Sequence, residues 1–119
     1  MKYIHLSNIE FISRGDDTRV MEYLVQFKEL IPELSVRLEK ALSNKDRIQI
    51  RQILHKMSPQ LQFFGITDLV EPIQRLEYEY DSIALAELED LVRNVITILN
   101  RSLDEVSHVI DQKQNNPIK

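Results

Sequence analysis

The residue with the clearest chemical potential is His55, which lies in the stretch "ILHKMSPQLQFFG" at positions 53–65. A neutral imidazole is a nucleophile at cellular pH, and an exposed ring nitrogen can accept a phosphoryl group without an adjacent base. Lys56 follows directly and would place positive charge beside such a group. Taken alone, the two residues are also compatible with an ordinary histidine and a solvated lysine on a helix surface.

A second candidate is a metal site, because Glu105 and His108 are three residues apart, a spacing that helical di-iron bundles use twice. The pair occurs once here, and neither His5 nor His55 has the partners that a zinc site needs. We therefore expect no metal and no cofactor on this chain. The sequence also has no Gly-rich phosphate loop and no Ser-His-Asp order, so it gives no support for an ATP-binding domain or a hydrolase.

The composition limits the classes of protein to consider. A chain of 119 residues is long enough for one domain, and 43% hydrophobic residues with two Gly and four Pro favour a folded, helical protein. A net charge of -4 argues against binding to a nucleic-acid backbone. The absence of cysteine fits a reducing compartment, and no stretch is apolar enough for a signal peptide or a membrane span. These features predict a cytoplasmic location without membrane contact.

The positions of apolar residues predict the helices that must place His55. Helical spacing runs from Val20 to Leu42 through Pro32, and we favour one helix bent at Pro32 over two successive helices. Asp46 or Asn44 is placed to cap a second helix at about 46–64, which Gly65 closes. The fold expected overall is all-α.

Two further helices follow. Thr67 or Asp68 is placed to cap a third segment that continues to about Tyr80, with Pro72 close to its first turn. A long helix then runs from Ser82 to about residue 112, and residues 113–119 read as a frayed tail. Four such helices bury their apolar stripes in an antiparallel up-and-down four-helix bundle, with "HLSNIEFIS" as a short extra N-terminal helix and 1–119 as a single domain.

The helical phase of the second helix, at about 100° per residue, predicts that His55 faces solvent. An apolar stripe lies within about 60° of the side opposite His55 and comprises Ile50, Ile53, Met57, Leu61 and Phe64. The residues within about 60° of His55 itself are mostly polar and comprise Ile48, Arg51, Gln52, Ser58, Pro59 and Gln62.

The segment "ILHKMSPQLQFFGITDLVEPIQRLE", residues 53–77, resembles the signature of the histidine-containing phosphotransfer (HPt) domains of bacterial two-component phosphorelays. That family has an exposed histidine within a helix, a glycine ten residues later, a leucine opening the next helix and a final Leu-Glu pair. The matching residues here are His55, Gly65, Leu69, and Leu76 with Glu77. The preceding residues, from "GDDTRV" to "SNKD", are similar to the family's lead-in, so the resemblance covers nearly the whole chain.

The sequence departs from that signature at two positions, because the family commonly has lysine three and glycine four residues after the histidine. This chain has Ser58 and Pro59 there. Pro59 removes the backbone donor for the carbonyl of His55 and permits a local bend of the helix. Lys56 would supply the missing positive charge, although its direction differs from that of His55 by about 100°.

The resemblance implies a phosphorelay intermediate. His55 would accept a phosphoryl group from a receiver-domain aspartate, with Lys56 stabilising charge, and would pass it to another receiver as a stoichiometric carrier and not as an enzyme. Magnesium would be bound by the receiver only. The implied partners are response-regulator receiver domains and, as a further candidate, a hybrid sensor histidine kinase, with this chain a monomer.

The residues expected to contact a partner surround His55 and comprise Ile48, Arg51, Gln52, Ser58, Pro59, Gln62, Gly65, Leu69 and Glu77. Glu77 either orients the ring of His55 or is an ordinary surface carboxylate, and the sequence leaves both open. The changes at Ser58 and Pro59 keep an alternative function open. In that alternative the chain is an interaction or inhibitory module with the HPt fold, which binds a kinase or receiver without carrying phosphate.

Overall fold

The computed structural model describes residues 2–115 of the chain, and all of its regular secondary structure is helical. The five α-helices and one 3₁₀ turn are α1 (Ser7–Ser13), α2 (Asp17–Ser43), α3 (Arg47–Phe63), the turn Thr67–Leu69, α4 (Val70–Glu79) and α5 (Leu85–Gln114). Helix α5 therefore extends two residues into the segment 113–119 for which we predicted a frayed tail. Residues 116–119 lie outside the described part of the chain.

The helices form a bundle around the two longest members. Helix α2, with 27 residues, packs against α3 and α5, and α4 packs against α3 and α5. The short α1 packs against α2. The bundle is 53 Å long and about 22 Å across because α2 and α5, with 30 residues, extend well beyond the shorter α3 and α4. This arrangement confirms the predicted all-α four-helix bundle with a short N-terminal helix.

Three prolines lie within helices, and two of them, Pro32 and Pro72, are accommodated without breaking the helix. Helix α2 is continuous through Pro32, which confirms the expectation of one helix over two. Pro72 is the third residue of α4, where the backbone N–H has no acceptor within the helix, so its loss costs little. Neither residue interrupts the bundle.

The helix starts show which capping predictions hold. Asp16 accepts hydrogen bonds from the backbone of Thr18 at 2.9 Å and Arg19 at 3.4 Å, which starts α2. Asp46 accepts from the backbone of Gln49 at 3.1 Å, which confirms the predicted cap of α3. The predicted cap of α4 by Thr67 or Asp68 is wrong.

Helix α4 begins differently because a 3₁₀ turn leads directly into it. In the described structure, the side chains of Thr67 and Asp68 do not cap the turn or the helix. The backbone N–H of Val70 donates to the carbonyl of Thr67, and that of Leu69 donates to Ile66 at 3.2 Å. Backbone carbonyls of the turn therefore satisfy donors that we expected a side chain to satisfy.

The amino-terminal segment, residues 2–6, is held against the bundle by Glu105 of α5. The carboxylate of Glu105 accepts hydrogen bonds from the backbone N–H groups of Lys2, Tyr3 and Ile4 at 2.9–3.1 Å. The N–H of His5 donates to the carbonyl of Phe64 at 2.8 Å, at the end of α3. Glu105 therefore binds the protein's own backbone.

Gly65 is required where the amino-terminal segment crosses the end of α3. Its φ is +65°, a conformation that residues with a Cβ rarely adopt. A Cβ added to Gly65 would lie 3.0 Å from the Cβ of His5 and 3.1 Å from the carbonyl oxygen of His5. The predicted role of Gly65 in closing the helix is therefore combined with a close approach of two backbones.

Helices α2 and α3 share an aromatic cluster at the end of α3. The rings of Phe27 and Phe64 lie 4.3 Å apart, and those of Tyr23 and Phe63 lie 4.8 Å apart in an edge-to-face arrangement. Offset and edge-to-face aromatic pairs add to the stability gained from burial. They hold the end of α3 against α2. Across the described helices, none is long and apolar enough to cross a membrane.

Candidate functional site

His55 lies in the middle of α3 with its side chain 78% exposed. The apolar stripe predicted to oppose it is buried, each member being 4% exposed or less: Ile50, Ile53, Met57, Leu61 and Phe64. The phase of the helix is therefore as predicted. Leu54 is also fully buried because α4 covers that side of α3.

The ring of His55 contacts Glu77 of α4. Nδ1 of His55 lies 3.1 Å from Oε1 of Glu77, whose side chain is only 22% exposed. An ionised carboxylate can only accept a hydrogen bond, so Nδ1 carries the hydrogen in this contact. In a neutral ring, Nε2 then keeps its lone pair. The carboxylate thus favours the tautomer with its hydrogen on Nδ1, in which Nε2 has a lone pair available to bind or react.

Helix α4 and Lys56 lie on opposite flanks of α3 beside His55. Ser58 and Gln62 face α4 from one flank of α3, and Glu77 holds Nδ1 on that same flank. Lys56, which is exposed, lies about 100° from His55 on the flank away from α4.

Arginines of α3 hold the end of α4 that carries Glu77. The guanidinium of Arg51 lies 5.3 Å above the centre of the Tyr80 ring, within cation–π range. Arg47 donates hydrogen bonds to the backbone carbonyls of Tyr80 and Ile83, where α4 ends. Two positive side chains of α3 therefore hold the residues that directly follow α4, and Glu77 lies in the last turn of that helix.

A third arginine joins α4 to α5. Arg75 contacts Glu79 at 3.1 Å and Glu87 of α5 at 2.9 Å. The hydrogen bonds that Arg75 donates, first to Glu87 and then to Glu79, raise the pKa of Arg75, and the bond to Arg75 lowers the pKa of Glu87. These groups are solvent-exposed, so the contact contributes little energy, but it restrains α4 against α5.

Ser58 and Pro59, where the chain departs from the HPt signature, do not interrupt α3. The helix continues through Pro59 to Phe63, and Pro59 is exposed. Pro59 has no N–H to donate to the carbonyl of His55. Ser58 is half-buried and accepts a long hydrogen bond of 3.5 Å from Gln62. The surface next to His55 is thus open despite both substitutions.

The other residues predicted to contact a partner differ in exposure. Arg51, Gln52, Pro59 and Gln62 are exposed, and Ile48 is 62% exposed. Gly65 is half-buried beneath His5. Leu69 is only 1% exposed and faces the core from the 3₁₀ turn, so it offers a partner much less surface than the other residues of this set.

Two exposed apolar residues on α4 were missed by the sequence analysis. Val70 is 46% exposed and Tyr78 is 83% exposed. They are eight residues apart, two helical turns, with the exposed Gln74 midway between them. That spacing of four marks one face of a helix, and it could have identified them had the start of α4 at Val70 been known.

Glu105 and His108, the pair considered for metal binding, do not act together. Glu105 is engaged by three backbone N–H groups, whereas His108 is exposed. Within residues 2–115, no group of three or more His, Cys, Asp or Glu side chains is placed to hold a metal ion.

The chain is similar in fold to a solved structure. No protein-family model and no curated protein matches it. Among solved structures, it superposes on the crystal structure of the HPT domain from the Hpt sensor hybrid histidine kinase from Shewanella, with a TM-score of 0.78. The match covers 92% of this chain and 94% of that one. This chain has the HPt fold. The sequence identity is 16%, so the likeness concerns the fold, and it confirms the fold that the segment around His55 suggested.

Proposed function

We propose that this chain is a phosphorelay intermediate that carries a phosphoryl group on Nε2 of His55. The observation that supports this most directly is the contact between Nδ1 of His55 and Glu77, which leaves Nε2 as the free nucleophile on an exposed ring. The HPt fold adds weight, because the structure it resembles is a domain of a hybrid histidine kinase.

The proposed donor is an aspartyl phosphate on a receiver domain. The lone pair of Nε2 attacks phosphorus, a new N–P bond forms, and the bond between phosphorus and the aspartate oxygen breaks to release the carboxylate. The ring gains positive charge as the N–P bond forms. Glu77 accepts the hydrogen bond from Nδ1–H throughout, so its carboxylate stabilises that charge.

The charges near His55 suit an acidic partner. Helix α3 contains Arg47, Arg51 and Lys56 but no Asp or Glu, although the whole chain has a net charge of -4. Lys56, the exposed residue directly after His55, is the residue we assign to stabilising the transferred group. Magnesium bound by the receiver would supply the remaining positive charge, so the carrier needs no metal of its own.

Onward transfer is the reverse of the same step. The aspartate of a second receiver attacks phosphorus, the N–P bond breaks, and Nε2 recovers its lone pair while Nδ1 keeps its hydrogen. Each chain carries one phosphoryl group at a time, so the protein acts stoichiometrically. The direction of flow is set by the relative stability of the two receiver phosphates.

The test is transfer of label from phosphorylated receivers. Each receiver domain encoded in the same genome is phosphorylated with radiolabelled acetyl phosphate and mixed with this protein. The wild type should acquire label that is stable in base and labile in acid, as expected for phosphohistidine. His55→Gln should acquire none, whereas His108→Gln, a change of another exposed histidine, should behave as wild type.

The alternative is a binding module that keeps the HPt fold without carrying phosphate. Label that never reaches the wild-type protein from any receiver would contradict the proposed transfer. Receiver binding that is equal in wild type and His55→Gln, in the absence of any transfer, would support the alternative.

A further inference from the structure

A groove between α3 and α4 begins at Glu77, beside His55. Its volume is about 120 Å³. The floor is apolar and buried, formed by Leu61, Ile66, Leu69 and Ile73. The rim is formed by Ser58 and Gln62 of α3 and by Val70, Gln74 and Tyr78 of α4. We refer to this feature as the α3–α4 groove.

The size and lining of the α3–α4 groove limit what it can bind. Pockets for cofactors and drug-sized ligands are usually about 300–1,000 Å³, so this groove is too small for them. Apolar cavities of about 150 Å³ accommodate a benzene molecule, so a volume of about 120 Å³ suits one aliphatic side chain. The groove therefore fits a single side chain of a protein partner.

The rim of the groove has the character of a docking surface. Val70 and Tyr78 leave apolar surface exposed at 46% and 83%. The other rim residues, Ser58, Gln62 and Gln74, are polar and uncharged, so they can exchange hydrogen bonds with a partner without the desolvation cost of a buried charge. Apart from Glu77 at one end, the groove therefore combines an apolar anchor with neutral polar groups around it, which is the usual composition of an interface centre and its edge.

We propose that the α3–α4 groove anchors one aliphatic side chain on a helix of the receiver domain that exchanges phosphate with His55. This inference rests on the proposed function. Charge complementarity favours this occupant, because the acidic phosphorylation site of a receiver would be drawn to Arg51 and Lys56 on α3. Ser58 and Gln62 lie about 4.5 and 10.5 Å along the axis from His55, so a helix beside that acidic site reaches the groove.

Occupation of the groove would also act on His55 through Glu77. Glu77 lines the groove and accepts the hydrogen bond from Nδ1 of His55. A side chain inserted there excludes water from the carboxylate, and the His55–Glu77 hydrogen bond becomes stronger in the lower dielectric. Correct docking would therefore tighten the orientation of the ring at the moment of transfer.

The test fills the groove with a large side chain. Gln74→Trp places an indole at the rim, and Gln112→Trp makes the same change at an exposed position of α5. We expect kcat/KM for transfer from a phosphorylated receiver to fall about tenfold in Gln74→Trp, as for loss of an anchor contact. Gln112→Trp should transfer as wild type. Labelling of His55 by phosphoramidate, which needs no docking, should not fall in either variant.

A second variant removes the rim without filling the groove. The double change Val70→Ser with Tyr78→Ser alters only exposed side chains, so folding should persist, and transfer should fall several-fold. If Gln74→Trp and Gln112→Trp accepted phosphate from the receiver with the same kcat/KM, the proposal would be overturned. A parallel fall in phosphoramidate labelling would also overturn it, since the effect would then lie at His55.

The failure of the proposed function can be told apart from the failure of this inference. If the wild type accepts phosphate from no receiver, the proposed function fails, and calorimetric binding of the same receivers then tests the groove alone. Weaker binding by Gln74→Trp than by Gln112→Trp supports the groove as the docking site. Equal binding by the two variants, or no binding by the wild type, overturns it.

Discussion

Two glutamates each join distant parts of this chain, and they differ in what they leave exposed. Glu105 accepts hydrogen bonds from three backbone N–H groups of the amino-terminal segment. These partners are backbone amides, which carry no reactive side-chain atom. Glu77 accepts from one nitrogen of an exposed imidazole and leaves the other free. The same type of interaction thus holds the amino-terminal segment at one place and, in the proposed function, prepares a nucleophile at the other.

The comparison shows why a carboxylate beside a histidine is not by itself a functional signal. Glu105 and His108 looked like a possible site because they are close in sequence, but Glu105 is occupied by backbone donors. His55 and Glu77 are 22 residues apart and meet because α3 and α4 pack side by side. The two regions should respond oppositely to mutation, the amino-terminal end in stability and the α3–α4 face in phosphate transfer.

The largest effect is expected at the end where the amino-terminal segment crosses α3. Gly65→Ala combines a positive φ with a Cβ 3.0 Å from His5, and we expect a loss of about 2–3 kcal/mol in the free energy of unfolding. Gly15→Ala is the matched control, because its φ is +78° but no described atom outside its neighbours lies within 4 Å of the added Cβ. Urea denaturation should show a loss of only about 1 kcal/mol there. Equal losses in both variants would mean that the contact with His5 contributes nothing.

Glu105→Ala tests the hydrogen bonds that hold the amino-terminal segment against α5. It leaves the N–H groups of Tyr3 and Ile4 without their acceptor, and we expect a loss of about 2 kcal/mol in the free energy of unfolding. Glu105→Gln keeps an acceptor oxygen and should lose about half as much. Amide hydrogen exchange of residues 2–5 should accelerate in Glu105→Ala more than exchange in α3. Unchanged exchange at those amides would show that Glu105 does not hold the segment.

Glu77→Gln should alter chemistry and leave stability nearly unchanged. The amide still accepts a hydrogen bond from Nδ1 but no longer carries the negative charge that stabilises the phosphorylated ring. We expect the rate of transfer to His55 to fall about tenfold, as for loss of a residue that orients a reacting histidine. Glu71→Gln, a change on the exposed surface of the same helix, provides the control. If Glu77→Gln and Glu71→Gln transferred phosphate at the same rate, Glu77 would be an ordinary surface carboxylate without a role in transfer.

The smallest effect is expected at Glu87, which restrains α4 from the α5 side. Because Arg75 lowers the pKa of Glu87, its contribution to stability is present above the ordinary glutamate pKa and is lost as the pH falls through the lowered folded-state value. Glu87→Gln should therefore reduce the acid sensitivity of the melting temperature slightly, without changing transfer. Glu10→Gln, a change at an exposed position, serves as the control. If the melting temperature depended on pH identically in both variants, the contact between Glu87 and Arg75 would contribute nothing to stability.

The sequence predicted features that depend on a single helix and missed those that depend on two. The exposure of His55 and the cap at Asp46 follow from spacing within one stretch, and both are observed. The burial of Leu69 and the exposure of Tyr78 depend on where α4 starts and how it lies on α3. Local spacing also predicted a side-chain cap for α4, where backbone carbonyls of a 3₁₀ turn serve instead.

The contact between His55 and Glu77 marks the limit of prediction at the site. The pattern in residues 53–77 indicated that both residues mattered, but it left open whether they touch. Their meeting depends on the register of α3 against α4, which the contacts of Arg47 and Arg51 with the end of α4 help to set. Neither arginine is recognisable as a register contact from its spacing in the sequence.

The most direct test of this account is the identity of the phosphorylated nitrogen. The wild-type protein, labelled with ¹⁵N in histidine, is phosphorylated with phosphoramidate and with a phosphorylated receiver, and long-range ¹H–¹⁵N spectra are recorded. We predict that both reagents place phosphorus on Nε2 of His55, with Nδ1 still protonated and hydrogen-bonded to Glu77. Phosphorus on Nδ1 in the receiver reaction, or on no nitrogen of His55 with either reagent, would contradict the account.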